Sequence, residues 1–331
     1  MITTVDLDDT GWLLDAETGL PVPEHRLSGY FSEYLTPPTW ATDIVVYVHG
    51  WQTSPESARR SAARLLDLAE RQLRAARGLY HRLGQSPGWF IPWAVVVRWP
   101  SSSLVSPGGY RRIRDRAHAM GTEGHAAHII GRLLGYLDSE RPDPGSAAVL
   151  ANRDGQYLHL VGHSFGCRFL CEAVQWAGDA TLNNADTLGW GLPAVPGRPF
   201  TADSMLLFQM AAPRDAFSTL FTSLASAPLR GPVVATHSRH DRATGFWHLR
   251  AERSPGIGHS GIGVAPAPLF NARLLPSHRR YPRQTLDHRF VNLDASDHFI
   301  RGRRLNPAGA HSDHLRPESA HLLLSLADHS R

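Results

Sequence analysis

The sequence predicts an α/β fold, a doubly wound, mostly parallel sheet with helices on both faces. Two observations carry this. Short continuous apolar runs, such as Asp43-Ile44-Val45-Val46-Tyr47-Val48 and Trp93-Ala94-Val95-Val96-Val97-Arg98-Trp99, recur along the 331 residues. Unbroken runs of this length mark strands buried on both faces. Between them lie longer segments with apolar residues at helical spacing, and strands alternating with helices are the signature of parallel βαβ units. Hydrophobic residues make up 42% of the chain, enough for one substantial core. No stretch approaches the roughly 18–20 apolar residues of a membrane-spanning helix, so no stable membrane insertion is expected.

In chain order, residues 1–42 read as an N-terminal arm rich in proline and aromatics, with room for a short edge strand. Met1 to Asp9 has neither a basic region nor an apolar core, so it is not read as a signal peptide, and a cytoplasmic location is the default. The domain proper is read as 43–331. After the strand at 43–48, Ser54 caps a helix that starts on Pro55 and runs to about Arg77. The strand at 93–99 is followed by a Ser-, Pro- and Gly-rich loop, then one helix from Arg111 to about Leu137. Tyr157 to Val161 is a strand leading into Gly162-His163-Ser164-Phe165-Gly166, and Cys167 to Val174 continues as a helix. Met205 to Met210 is a strand, Asp215 to Leu224 a helix, Pro232 to His237 a strand. Residues 242–288 read as a long irregular excursion. Phe290 to Asp294 is the last strand, and Pro317 to about Ala327 the last helix. The insertions at about 100–110, 178–203 and 242–288 read as loops rimming one site and forming a cap over it.

The stretch around Ser164 carries the chemistry. A serine in G-x-S-x-G between a strand and a helix sits on a sharp turn, and glycines on either side remove Cβ atoms that would collide. The following helix points its positive end at the serine. On these residues the chain resembles the α/β-hydrolase superfamily, in particular its lipase- and esterase-like members. The resemblance covers roughly 43–329. It implies a serine hydrolase that cleaves a carboxylic ester through an acyl-enzyme, with no cofactor and no metal and with a small-molecule acyl substrate. Amide or thioester hydrolysis, or acyl transfer, would use the same machinery, and a non-catalytic binding protein on this fold is a further alternative.

The superfamily's order along the chain is Ser, then acid, then His. The resemblance makes Ser164 the nucleophile. Asp241, just past a predicted strand, is the first choice for the acid, with Asp215 as rival; Asp215 also reads as a simple helix cap. His311, between the last strand and the last helix, is the first choice for the base, with His314 and then His298 behind it. The oxyanion hole would use the backbone amides of Phe165 and of Trp51, the latter in His49-Gly50-Trp51, with Gln52 as neighbour. His49 and His163 read as braces for their loops.

Other signals point elsewhere and are weaker. The net charge is +4, and all 34 basic residues are arginine. They scatter along the chain, so nucleic-acid binding is not expected. Gly256-Ile257-Gly258-His259-Ser260-Gly261 matches G-x-G-x-x-G but follows no clear strand and opens no helix, so it reads as a flexible loop. His311, Asp313 and His314 with His298 or Asp297 could in principle hold a metal, yet no zinc-type spacing supports this. Cys167 and Cys171, four apart behind the turn, read as small buried hydrophobes. Trp89, Phe90, Trp93 and Trp99 read as core packing, and Trp51 as the one aromatic placed to touch substrate. Nothing in the sequence sets the oligomeric state.

Overall fold

The computed structural model describes residues 1–83, 89–141, 155–178, 202–227, 229–302 and 307–331. Among these residues nine strands form one sheet: β1 (Ile2–Leu7), β2 (Leu13–Leu14), β3 (Asp43–Val48), β4 (Pro92–Arg98), β5 (Tyr157–His163), β6 (Ser204–Phe208), β7 (Val233–His237), β8 (Leu269–Arg273) and β9 (Phe290–Asp294). Their order is β2-β1-β4-β3-β5-β6-β7-β9-β8. Every pairing is parallel except β1 with the short β2.

The apolar runs become the inner strands because each side chain finds a hydrophobic layer on its own face. Val46 and Val48 of β3 belong to the cluster that packs on α4 (Ala126–Glu140) and α5 (Gly166–Gly178). Val45 and Tyr47 point the other way, onto α2 (Pro55–Ala75) and the C-terminal helix Pro317–Ser330. Alternation along a strand puts successive residues on opposite faces, so two-sided burial needs an unbroken run. In α2, the Ser54 Oγ accepts from the Ser57 amide and Pro55 occupies the first turn. Ala58, Ala62, Leu65, Ala69 and Leu73 form its buried stripe.

Four expectations are corrected. Residues 1–42 are not a peripheral arm: β1 pairs with β4, and Val5, Leu7, Leu13 and Leu27, the last opening α1 (Leu27–Tyr34), lie in the core. The edge strand is β2. The helix expected from Arg111 to Leu137 is two helices, α3 (Pro107–His118) and α4, joined by a wide π-type turn over Ala119–Glu123. There a Cβ on Gly121 would lie 1.6 Å from the Glu172 carboxylate, so the chain yields to a buried side chain of α5. The excursion at 242–288 is more ordered than its composition suggests. It contains β8, which extends the sheet beside β9, and a helical turn at Ile257–Ser260 in place of a flexible loop. The helix expected from Asp215 to Leu224 shrinks to Ala216–Thr219 and a 3-10 turn at Thr222–Ala225. Of the insertion at 178–203, residues 179–201 lie outside those described.

At the N-terminal ends of β3, β5 and β6 sits a fully buried polar cluster. His159 Nε2 donates to Asp43 Oδ1 at 3.0 Å, and its Nδ1 lies 2.8 Å from Ser204 Oγ. Arg331 grips both oxygens of Asp43, at 3.1 and 2.8 Å. Burial alone would raise the Asp43 carboxyl, but Arg331 and His159 outweigh it and hold it below the usual range.

Candidate functional site

The opposite edge of the sheet, at the strands' C-terminal ends, is where ligands bind in open α/β sheets, above all where the strand order reverses. Here it reverses at β3: the chain passes from β3 to β4 on one side and returns to β5 on the other. His49-Gly50-Trp51 leaves β3 at that point, and Ser164 leaves β5.

Ser164 has φ +56°, a left-handed conformation that is unfavourable for a residue with a Cβ. Its neighbours hold it there. Its amide donates to Phe208 O at 3.0 Å, and its carbonyl accepts from the amides of Cys167 and Ala211 at 3.2 Å each. Close approach explains the glycines. A Cβ on Gly166 would lie 2.2 Å from Val48 O, and one on Gly162 2.8 Å from the Cys167 Cα. Gly50 is pressed on Ser164 itself, with 2.5 Å between the two Cβ positions.

Three side chains distant in sequence converge on this turn. His311 Nε2 lies 2.8 Å from Ser164 Oγ, and His311 Nδ1 lies 2.8 Å from Asp241 Oδ2. A carboxylate only accepts, so Nδ1 carries the proton and Nε2 presents its lone pair to the serine hydroxyl. Asp241 has no exposed surface, Ser164 is 1% exposed and His311 6%. Asp241 Oδ1 accepts from the Thr244 amide at 3.0 Å, within a π-type turn at Ala243–Trp247.

The loops that bring the acid and the histidine are stitched to each other. Asp241 and Gly309 form an antiparallel bridge. The amides of Arg242 and Ala243 donate to Ala308 O, and that of Ala310 donates to His240 O.

Gln209 is a site residue that the sequence does not single out. It follows β6 in a left-handed conformation, φ +48°, fully buried. Its Nε2 donates to Asp241 Oδ2 at 3.1 Å and to Ala310 O at 2.9 Å, tying acid and histidine loops to the sheet. The one trace in the sequence is a polar residue interrupting the apolar run Met205 to Met210.

Two further histidines brace the base. His163 Nε2 donates to His311 O at 2.8 Å, and its ring stacks on His314 with centroids 3.9 Å apart. Burial, then the neighbouring His314 and His311, push His163 well below its ordinary value. Burial likewise brings His314 down to about 3 and His49 to about 4. All three are therefore neutral near pH 7. His49 Nδ1 donates to Gly50 O and its Nε2 accepts from the Trp99 amide, which fixes the loop after β3.

The rival residues lie elsewhere. Asp215 is exposed and makes no side-chain cap bond. His314 sits behind His163 rather than beside Ser164, its Nε2 3.4 Å from the Tyr47 hydroxyl. His298 faces Glu318, and Asp297 faces Arg273. Among the described residues, no group of three or more His, Cys, Asp or Glu side chains is placed to hold a metal ion. Both cysteines are buried and unpaired.

In the loops flanking the serine, the Gln52 amide is engaged with Ser101 O, whereas those of Trp51 and Phe165 make no loop or turn hydrogen bond among the described residues. Trp51 Nε1 donates to Ser103 Oγ at 2.7 Å, and its ring meets Tyr110 edge-on. Tyr110 also packs on Phe165. No helix of the described residues is long and apolar enough to cross a membrane.

The class these features define is an α/β protein with a hydrogen-bonded Asp–His–Ser chain above its sheet. Comparison with protein-family models, with curated proteins and with solved structures gives no match.

Proposed function

We propose that this chain is a serine hydrolase of the α/β-hydrolase type, cleaving a carboxylic ester of a small acyl substrate through an acyl-enzyme. One observation carries the reading: Ser164, held at positive φ between strand and helix, is hydrogen-bonded to His311, which is bonded to Asp241.

Ser164 Oγ attacks the ester carbonyl carbon as His311 Nε2 takes its proton. Asp241 holds the histidine in the required tautomer and stabilises the imidazolium that forms. The amides of Trp51 and Phe165 receive the oxyanion, a contribution of about 3–4 kcal/mol for each such donor. Collapse breaks the C–O bond to the alcohol, which leaves with the proton from His311. A water then gives its proton to His311 and attacks the acyl-enzyme. Ser164 departs with that proton, and the acid is released. In this reading the insertions at about 100–110, 178–203 and 242–288 serve as the cap.

A fluorophosphonate probe tests the assignment. It should label the wild-type protein and leave Ser164→Ala unlabelled, with p-nitrophenyl ester hydrolysis lost in parallel. Equal labelling of both would remove Ser164 from the role.

A further inference from the structure

A cavity of about 630 Å³, not itself lined by Ser164, His311 or Asp241, is left unaccounted for by the acyl-transfer chemistry. Arg168 lines it. This residue comes four after Ser164, on the first turn of α5, where its amide donates to Phe165 O just beyond the nucleophile. Pro213, on another wall, follows closely on Ala211, whose amide holds the Ser164 carbonyl.

Arg168 is 4% exposed, and its Nε is buried with no hydrogen-bond partner. Among the described residues its guanidinium makes one hydrogen bond, a 3.5 Å contact from Nη2 to His118 Nδ1. A buried guanidinium without a carboxylate is costly, and such groups are ordinarily paired. The other charges around the cavity do not serve it. Arg114 is occupied by Asp115 and Glu252. Asp215 is exposed at the rim. Glu172, one turn further along α5, makes no hydrogen bond to it: its Oε2 is itself buried and unpartnered, and burial pushes the carboxyl up to about 7 against the opposing pull of Arg168.

We propose that this cavity is the subsite for a carboxylate carried on the substrate, with Arg168 as its anchor, so that the preferred substrates are esters of acids bearing a second, free carboxyl group. The inference rests on Ser164 as nucleophile. A guanidinium presents two parallel donors to a carboxylate, and the pairing is strong where water is excluded. A doubly charged phosphate fits less well, because Asp115, Asp215 and Glu252 stand on the same cavity and, among the described residues, Arg168 is the one arginine on it without a carboxylate partner.

The test compares two esters on the intact protein: the p-nitrophenyl monoester of glutaric acid and its methyl-capped counterpart. The wild type should favour the free acid by about tenfold or more in kcat/KM, chiefly through KM. Arg168→Gln should collapse that ratio towards one, and Arg168→Lys should restore part of it, keeping the charge but not the fork. A wild-type ratio at or below one, or a ratio unmoved by Arg168→Gln, overturns the subsite and leaves Ser164 standing. If neither ester is turned over, the fluorophosphonate labelling decides Ser164 separately. Calorimetric titration with glutarate then decides the subsite alone: binding that Arg168→Gln abolishes supports it, and no binding to the wild type overturns it. Should Arg168→Gln fail to fold, the wild-type ratio and the glutarate titration decide the question without it.

Discussion

Among the described residues stand two hydrogen-bonded Asp–His–Ser sets, one at each end of the same strands. Asp43, His159 and Ser204 lie at the N-terminal ends, and Asp241, His311 and Ser164 beyond the C-terminal ends. In both, a histidine joins a carboxylate to a serine hydroxyl at about the same distances. The contexts differ in three ways. Ser204 begins a strand and pairs with His159 in register, whereas Ser164 sits on a strained turn at the head of a helix. Asp43 is clamped by Arg331, whereas Asp241 is held by neutral donors, Gln209 and the Thr244 amide. Beside Ser164 run loop amides without loop or turn partners, whereas the neighbourhood of Ser204 is closed by ladder pairing. A list of residue types is therefore not a site. The lower set has every hydrogen bond needed to hold the sheet and no place for a carbonyl to enter.

Paired substitutions can break this contrast. The largest expected effect is on Ser164→Ala, which should cut ester hydrolysis by at least about 10⁴-fold while the fold remains. Ser204→Ala should keep activity within about twofold per folded molecule and lower stability by about 1–3 kcal/mol, because His159 Nδ1 loses its partner in the interior. Comparable loss of activity from both would erase the distinction. Next come the acids. Asp241→Asn should reduce kcat by roughly 10⁴ with little change in the melting temperature, since an amide stabilises the wrong histidine tautomer. Asp43→Asn should do the reverse, costing about 3–5 kcal/mol by stranding Arg331, as read by urea titration.

Acid should sharpen the same comparison. His49, His163 and His314 are depressed below their unfolded value of 6.5, to about 4, well below it, and about 3. Below pH 6.5 the unfolded chain binds protons that the folded one refuses, so their stabilisation is lost as pH falls from 6.5 towards 4. The slope is on the order of 1.4 kcal/mol per pH unit for each histidine. Glu172, raised to about 7, opposes this between 4.5 and 7, as the unfolded chain gives up its proton first. Burial lowers His128, His237, His248, His321 and His329 as well, so the depressed histidines outnumber Glu172 and leave the net slope positive, which thermal melts from pH 4 to 7 measure. His49, His163 and His314 flank the upper site, so that end should loosen first, with ester hydrolysis failing before global unfolding. The smallest effect is on Gln209→Leu, which removes one donor from Asp241 and one tie to Ala310. It should lower kcat by about tenfold with KM little changed.

The upper site is legible in the sequence because its chemistry requires local order. The turn at Ser164 needs glycines at fixed offsets, and Asp241 and His311 follow strands that announce themselves as apolar runs. Gln209 is not legible, since nothing around it ties a polar residue to a carboxylate on the next strand's loop. The lower set is hidden for a different reason: Asp43, His159 and Ser204 become neighbours only once β3, β5 and β6 are adjacent. Strand β1 escapes a reading by pattern because Ile2-Thr3-Thr4-Val5-Asp6-Leu7 mixes polar and apolar residues, its burial being set by pairing with β4. Strand β8 lies at the edge with its side chains half exposed, which leaves little hydrophobic signature.

The bridge between Asp241 and Gly309, with the amides that reinforce it, makes the carboxylate and the imidazole parts of a single rigid jaw. The serine's own strand end is fastened to that jaw as well, because His163, next to Ser164, bonds His311 O, and Gln209, next to the Phe208 that holds the Ser164 amide, bonds Asp241 and Ala310. Parting the imidazole from the hydroxyl would therefore have to break buried bonds at the ends of both β5 and β6.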